Sequence, residues 1–220
     1  MQLILLSAGR GSRLPKKYRS KPKCLAVVNN KTILENNLNF YNKFKDKIIV
    51  GGYKKNLLNK FAKEYKFKII HNKKYKTTNM VYSAFLPSKI IKKDVVICYG
   101  DIVFDKNIYN LLKKSRNIVP IYKDWLKLWK KRMPKNKIKN DAEDLKIKNN
   151  ILLSIGEPIK KIYPRYQYMG IIKIKKRSYF RLKKYFEHIK NKKIDMTSFI
   201  NQSISNKKIK FNVKKNNLIW

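Results

Sequence analysis

Acidic side chains are scarce in this chain: 13 Asp and Glu stand against 55 Lys and Arg in 220 residues, a formal net charge of +42 at pH 7. An imbalance of that size ordinarily points to nucleic acid or to an anionic membrane. The excess is nearly all lysine, however. It is spread along the chain rather than gathered in one arm, and it accompanies a surplus of Asn, Ile and Tyr, the residue set that A+T-rich codons favour. It therefore reads as compositional drift, with no specific nucleic-acid surface, although the field still attracts polyanionic small molecules and weakens with salt. Cysteine and histidine are equally thin. Cys24 and Cys98 stand alone inside apolar runs and lack metal-ligand spacing, so core packing is their reading. His71 and His188 read as surface residues rather than proton carriers. No run of about 18 apolar residues is present to cross a bilayer, and residues 1–6 enter an apolar strand without a basic leader. A cytoplasmic protein without a membrane span is the expectation.

What is present is an alternation of short apolar runs with amphipathic stretches, the pattern of a mostly parallel sheet covered by helices. A chain of 220 residues suits one domain, spanning 1–220, with a single active site. Strands are expected at residues 3–6, 47–50, 67–71, 94–99, 118–122, 151–155 and 168–174, with a last one at 209–214. The run at 94–99 is the most apolar of the middle and suits the centre of a parallel sheet. Thr32 and Glu35 form a capping box that opens a helix continuing to about residue 44, and further helices are expected at 57–65, 178–188 and 197–204. Residues 125–143 lack clean periodicity and read as a small insertion beside the active site.

Chemistry concentrates directly after the first strand, in Leu6-Ser7-Ala8-Gly9-Arg10-Gly11-Ser12-Arg13-Leu14 followed by Pro22-Lys23-Cys24-Leu25. Small residues at the end of a strand let backbone N–H groups close on phosphate oxygens, and Arg13 with Lys23 can neutralise a triphosphate. A glycine-rich turn alone is also compatible with an ordinary tight turn. It is neither a Walker A loop nor the Gly-x-Gly-x-x-Gly dinucleotide fingerprint. Asp101 closes the apolar run at 94–99, where a carboxylate at the carboxyl end of a strand can hold a hard cation or can cap the next helix.

Taken together, Ala-Gly-x-Gly-x-Arg-Leu and Pro-Lys resemble the signature of the sugar-nucleotidyltransferase and molybdopterin-guanylyltransferase-like superfamily. Gly51-Gly52-Tyr53, Thr78-Asn79-Met80-Val81-Tyr82-Ser83, Tyr99-Gly100-Asp101-Ile102-Val103-Phe104 and Gln167-Tyr168-Met169-Gly170 follow in the order of its phosphocholine cytidylyltransferase branch. The resemblance covers essentially the whole chain. It implies a Rossmann-like α/β fold and a Mg²⁺-dependent NTP transferase that moves CMP from CTP to a small phosphorylated or phosphonylated acceptor, as a monomer or homodimer, for decoration of a surface glycan or lipid. It further implies that Ala8, Gly9, Gly11 and Ser12 wrap the triphosphate and that Arg13 and Lys23 stabilise its developing charge. Asn79 and Ser83 would lie near the base, and Asp101 would hold the metal. A sugar 1-phosphate enzyme making an NDP-sugar is the rival within the fold, and an inactive or nucleic-acid-binding relative is the rival outside it.

For the acceptor the candidates are Trp125, Trp129, Arg132, Asp141, Glu143 and Tyr168. Aromatic faces beside a carboxylate suit an ammonium group, and Arg132 suits phosphoryl oxygens. The four-residue spacing of the tryptophans is equally that of a packed helix face, and Asp141 or Glu143 could instead be a second metal ligand. Where relatives have Lys after Ile-Gly this chain has Glu157, which leaves that role to Lys160 or Lys161. The acidic segment that follows a C-terminal Trp in the family does not follow Trp220, so the metal-binding segment there is expected to be missing.

Overall fold

The computed structural model of the chain describes residues 1–11, 19–160 and 162–216. Strand β1 (Gln2–Ser7) is buried along almost its whole length, as a parallel strand covered on both faces must be. A small separate hairpin follows, β2 (Val27–Val28) with β3 (Lys31–Thr32). Helix α1 (Ile33–Asn36) starts where its capping box requires. Thr32 Oγ1 accepts from the Glu35 N–H at 3.2 Å, and the Glu35 carboxylate accepts from the Thr32 N–H at 2.6 Å.

The helix expected to run on to about residue 44 instead breaks at Asn37 and resumes as α2 (Leu38–Tyr41). Asn37 is buried, and its side chain has work elsewhere. Its Nδ2 donates to Ile33 O at 3.1 Å and Ile102 O at 2.7 Å, while its Oδ1 accepts from the Phe104 N–H at 3.3 Å. The interruption thus ties these helices to the loop behind Asp101.

Next come β4 (Asp46–Gly51), α3 (Asn59–Glu64), β5 (Lys68–His71), α4 (Met80–Phe85), β6 (Val95–Tyr99), α5 (Ile108–Leu112) and β7 (Ile118–Tyr122). The stretch read as aperiodic forms α6 (Trp125–Arg132) and α7 (Lys135–Asp141), separated at Met133 and Pro134, because the residue before a proline is pushed out of the helical region. Strands β8 (Glu143–Lys148) and β9 (Ile151–Pro158) then form an antiparallel hairpin, of which the sequence reading held only the second strand. Asn149 and Asn150 turn it with φ of 49° and 58°, the left-handed pair that a two-residue hairpin needs. Strand β10 (Gln167–Tyr168) and β11 (Ile171–Ile174) replace the single strand expected at 168–174, and α8 (Lys176–His188), α9 (Met196–Ser205) and β12 (Asn212–Asn216) complete the described chain.

The main sheet runs β5-β4-β1-β6-β11-β7-β12-β9-β8, with β10 pairing β7. Strands β5, β4, β1 and β6 are mutually parallel, whereas β11 lies antiparallel between β6 and β7. This is a mixed, mostly parallel α/β sheet in a single domain, with β6 in its interior. Alternate residues feed opposite faces, as the strand period of two dictates. Ile4 and Ile97 pack with residues of α4, α8 and α9, and Leu3, Leu5, Val96 and Cys98 pack with those of α1, α2, α3, α5 and α6. Among the described residues no helix is long and apolar enough to cross a membrane.

Candidate active site

Strands β1 and β6 are parallel neighbours, so their carboxyl ends open on the same edge of the sheet, where open α/β sheets bind ligands. β1 runs into Ser7-Ala8-Gly9-Arg10-Gly11 and β6 into Gly100-Asp101. Two close approaches hold these turns. Tyr53 N–H donates to Ala8 O at 3.0 Å, and a Cβ on Gly52 would stand only 2.6 Å from that same carbonyl oxygen. Gly100 N–H donates to Leu6 O at 2.9 Å, and a Cβ there would fall 2.2 Å from Ser7 Oγ. Only glycine lets the three loops close to this distance.

Between them lies a cavity of about 450 Å³, large enough for part of a nucleotide. The β1 turn contributes Ala8, Gly9 and Gly11; Lys23 comes from a short turn behind Pro22, and Asp101 from the end of β6. Asn72, Thr78, Asn79 and Ser83, from the loop after β5 and from α4, line the cavity as well. Lys23 Nζ donates to Asp101 Oδ2 at 2.6 Å, with both side chains more than a third exposed. Asn79 caps α4: its Oδ1 accepts from the Met80 N–H at 2.8 Å and its Nδ2 donates to Lys193 O at 3.1 Å. Ser12, Arg13, Lys161 and Trp220 lie outside the described residues.

Asn72 and Tyr75 line the cavity too and were not singled out from the sequence, and Thr78, which opens one of the quoted motifs, was given no role there. Asn72 was findable, since it directly follows β5 and so occupies the same kind of strand-end position as Asp101. Cys24 borders the cavity as well, but burial pushes its thiol up to about 12, so it stays protonated and is no nucleophile. Cys98 is likewise buried, and His71 and His188 are exposed.

The acceptor candidates are dispersed. The tryptophans do not face the cavity. Trp125 is 1 % and Trp129 6 % exposed, and they pack edge to face at 5.7 Å within the apolar layer, so helix packing accounts for their four-residue spacing. Their N–H groups are also engaged, Trp125 Nε1 donating to Pro164 O at 3.0 Å and Trp129 Nε1 to Asp141 Oδ2 at 2.8 Å. Arg132 stacks on Trp129 with its guanidinium carbon 4.8 Å from a ring centroid, and is exposed. None of these four residues borders the cavity. Packing in the apolar layer accounts for the two indoles without a ligand.

Tyr168 and Glu143 are better situated. The Tyr168 ring meets the cavity-lining Tyr99 edge to face at 5.9 Å, and the Tyr168 phenol, pushed up by burial, feels the charge of Glu143 as well. Glu143 is itself raised above 4.5, first by burial, against which a hydrogen bond from Thr197 Oγ1 at 2.8 Å works, and then by the nearby Asp195 and Asp141. Among the described residues no lysine or arginine forms an ion pair with it, in a chain that carries 55 such cations.

A glycine turn, a lysine, an aspartate at the end of the next strand and uncharged polar groups thus line one strand-end cavity, an arrangement that suits a phosphorylated nucleotide. No family model matches the chain. It is 33 % identical over 189 residues to the CTP:phosphoglutamine cytidylyltransferase of Campylobacter jejuni, an alignment that covers 79 % of this chain and 72 % of that protein. It is 31 % identical over 117 residues to the choline-phosphate cytidylyltransferase of Streptococcus pneumoniae, covering 52 % of this chain and 51 % of the relative. Its fold superposes on the inositol-1-phosphate CTP transferase from T. maritima with a TM-score of 0.76 at 17 % identity, over 97 % of this chain and 84 % of that one. The chain belongs to the nucleotidyltransferase family, in the cytidylyltransferase group.

Proposed function

We propose that the protein transfers CMP from CTP to a small acceptor bearing a phosphate or phosphonate, releasing pyrophosphate, in the cytoplasm and in the service of surface-glycan decoration. The observation that supports it is that one cavity is bordered by the β1 turn, Lys23 and Asp101 together with Asn79 and Ser83. The backbone N–H groups of residues 8–11 would take the triphosphate, and Lys23 would meet the charge that grows on the α and β phosphates. An acceptor phosphoryl oxygen is already anionic, so it can attack the α-phosphorus in line without a general base. The new P–O bond forms as the bridge to the β-phosphate breaks, and pyrophosphate carries away the electron pair. His71 and His188 are exposed and neither is among the residues that line the cavity, which accords with that economy.

Asp101 fits a Mg²⁺ ligand, because its carboxylate already accommodates a cationic group, the Lys23 ammonium, at 2.6 Å. No group of three His, Cys, Asp or Glu side chains stands together among the described residues. Most ligands would then be substrate phosphates and water, an arrangement usual for this small ion. When bound, the metal supplies Lewis-acid charge to the phosphoryl oxygens.

On the acceptor side, Glu143 with Tyr168 and Tyr99 would receive a cationic nitrogen. A choline phosphate or a phosphorylated amino acid such as phosphoglutamine carries one, and a sugar 1-phosphate does not. Incubation with each NTP, Mg²⁺ and phosphocholine, aminoethylphosphonate, phosphoglutamine or a sugar 1-phosphate, followed by pyrophosphate release, tests the reading. CTP with an ammonium-bearing acceptor should turn over; turnover of a sugar 1-phosphate alone would replace it with NDP-sugar synthesis.

A further inference from the structure

We infer that Asn72 is a positioning residue that presents the Ser83 hydroxyl as a hydrogen-bond donor to the bound base, selecting a base that offers an acceptor atom at that point. The inference rests on the nucleotide reading above and deepens it. Asn72 is 1 % exposed, and its hydrogen bonds fix its orientation. Its Oδ1 accepts from the backbone N–H of Lys74 at 2.9 Å. A backbone N–H can only donate, so this contact identifies the oxygen end of the amide. The Nδ2 must then donate, and it does so to Thr78 Oγ1 at 3.1 Å and to Ser83 Oγ at 3.0 Å. Both amide hydrogens are thereby used.

A hydroxyl that accepts in this way still has its own hydrogen to give. Thr78 gives its hydrogen to Lys74 O at 2.8 Å, which completes that residue. Ser83 is 2 % exposed, borders the cavity, and has no acceptor for its hydroxyl hydrogen among the described residues. A buried polar hydrogen without a partner is costly, and a ligand acceptor would relieve it. The glycine turn and Lys23 suit the phosphates, which leaves the uncharged Asn72, Thr78 and Ser83 lining for the base. Cytosine offers acceptors at the ring nitrogen N3 and at the carbonyl oxygen O2. Without the pull of Asn72, the Ser83 hydroxyl could turn back on its own helix and donate to the carbonyl one turn earlier.

The test is calorimetric binding of CTP and of inorganic tripolyphosphate, which has phosphates and no base, to the wild type, Ser83→Ala, Asn72→Leu and the double variant, all with Mg²⁺. Each single change should weaken CTP roughly tenfold or more, the double should be no weaker than the worse single, and tripolyphosphate affinity should stay put throughout. Additive losses, or a parallel loss of tripolyphosphate in Asn72→Leu, would mean that Asn72 merely holds the loop and would overturn the inference. Ser83→Ala keeps Asn72 and puts a good helix former into α4, so unchanged CTP affinity in that variant alone also overturns it, whether or not Asn72→Leu folds. A wild type that binds neither ligand would instead sink the nucleotide reading itself.

Discussion

Lys23 Nζ stands 2.6 Å from Asp101 Oδ2, so the lysine proposed for the phosphates and the carboxylate proposed for the metal are each other's partners. The pair bridges the turn behind Pro22 and the end of β6, 78 residues apart in sequence. Because both side chains are more than a third exposed, it adds only about 0–1 kcal/mol to stability. Its weight is therefore in the site and not in the fold.

Lys23→Ala should leave the thermal unfolding temperature nearly unchanged while lowering pyrophosphate release by roughly two or more orders of magnitude, the scale of losing one preorganised charge-stabilising donor. The same variant frees Asp101, so calorimetry in the absence of nucleotide should register tighter Mg²⁺ binding than in the wild type. Unaltered turnover would remove Lys23 from the chemistry; unaltered metal affinity would mean that Asp101 does not hold the ion.

Trp129→Ala should act on the fold. Removing a ring that is 6 % exposed and packed on Trp125 costs about 3–5 kcal/mol, as for other large aromatic truncations in a core. Chemical denaturation should record that loss, and the acceptor KM of the folded fraction should not move. A raised KM with unchanged stability would return Trp129 to the acceptor site.

Glu143 makes stability pH-dependent in a defined direction. Burial raises its carboxyl above 4.5, so in the window between that value and the raised one the native state binds more protons than the unfolded chain. Stability then falls as pH climbs through the window and stays lower above it. Glu143→Gln keeps an oxygen for Thr197 and removes the charge, so its unfolding temperature should gain on the wild type as pH rises. Its KM for an ammonium-bearing acceptor should increase. Parallel pH profiles for the two proteins would show that the Glu143 charge is not penalised in the native state.

Gly52→Ala tests how the cavity is held. Its Cβ would meet Ala8 O at 2.6 Å and Tyr75 Cβ at 2.7 Å, contacts that only a shift of backbone can relieve. Since Ala8 belongs to the proposed phosphate turn, CTP affinity should drop even where a folded protein is recovered. Normal affinity in that protein would mean that the β1 turn moves freely and is not preorganised.

The local part of the candidate site was legible in the sequence because its residues are nearly contiguous. Gly9 and Gly11 directly follow an apolar run, Lys23 follows a proline, and Asp101 ends the run at 94–99; strand ends are where parallel sheets expose backbone and carboxylates to ligands. The capping box at Thr32 and Glu35 was legible for the same reason, its partners lying three residues apart. Asn37 was not. Nothing within its own helix signals that its amide is needed by Ile102 and Phe104, 65 and 67 residues onward. Asn72 escaped likewise, since one asparagine after a strand becomes informative only once Thr78 and Ser83 are seen on its amide.

By itself, then, the sequence determined the alternation of strands and helices, the order of the motifs and the glycine turn with its lysine, all of which depend on neighbours in the chain. The tertiary structure alone decided which way side chains with long-range partners point. Trp125 and Trp129 at helical spacing suit a ligand box or a core equally, and they went into the core because α6 lies against the sheet with those indoles as its cover. Glu143, without an ion-pair partner among the described residues, came to lie near Tyr168, and Lys23 met Asp101, because the fold brought segments distant in sequence together. Spacing along a helix sets which residues share a face; only packing sets what that face meets.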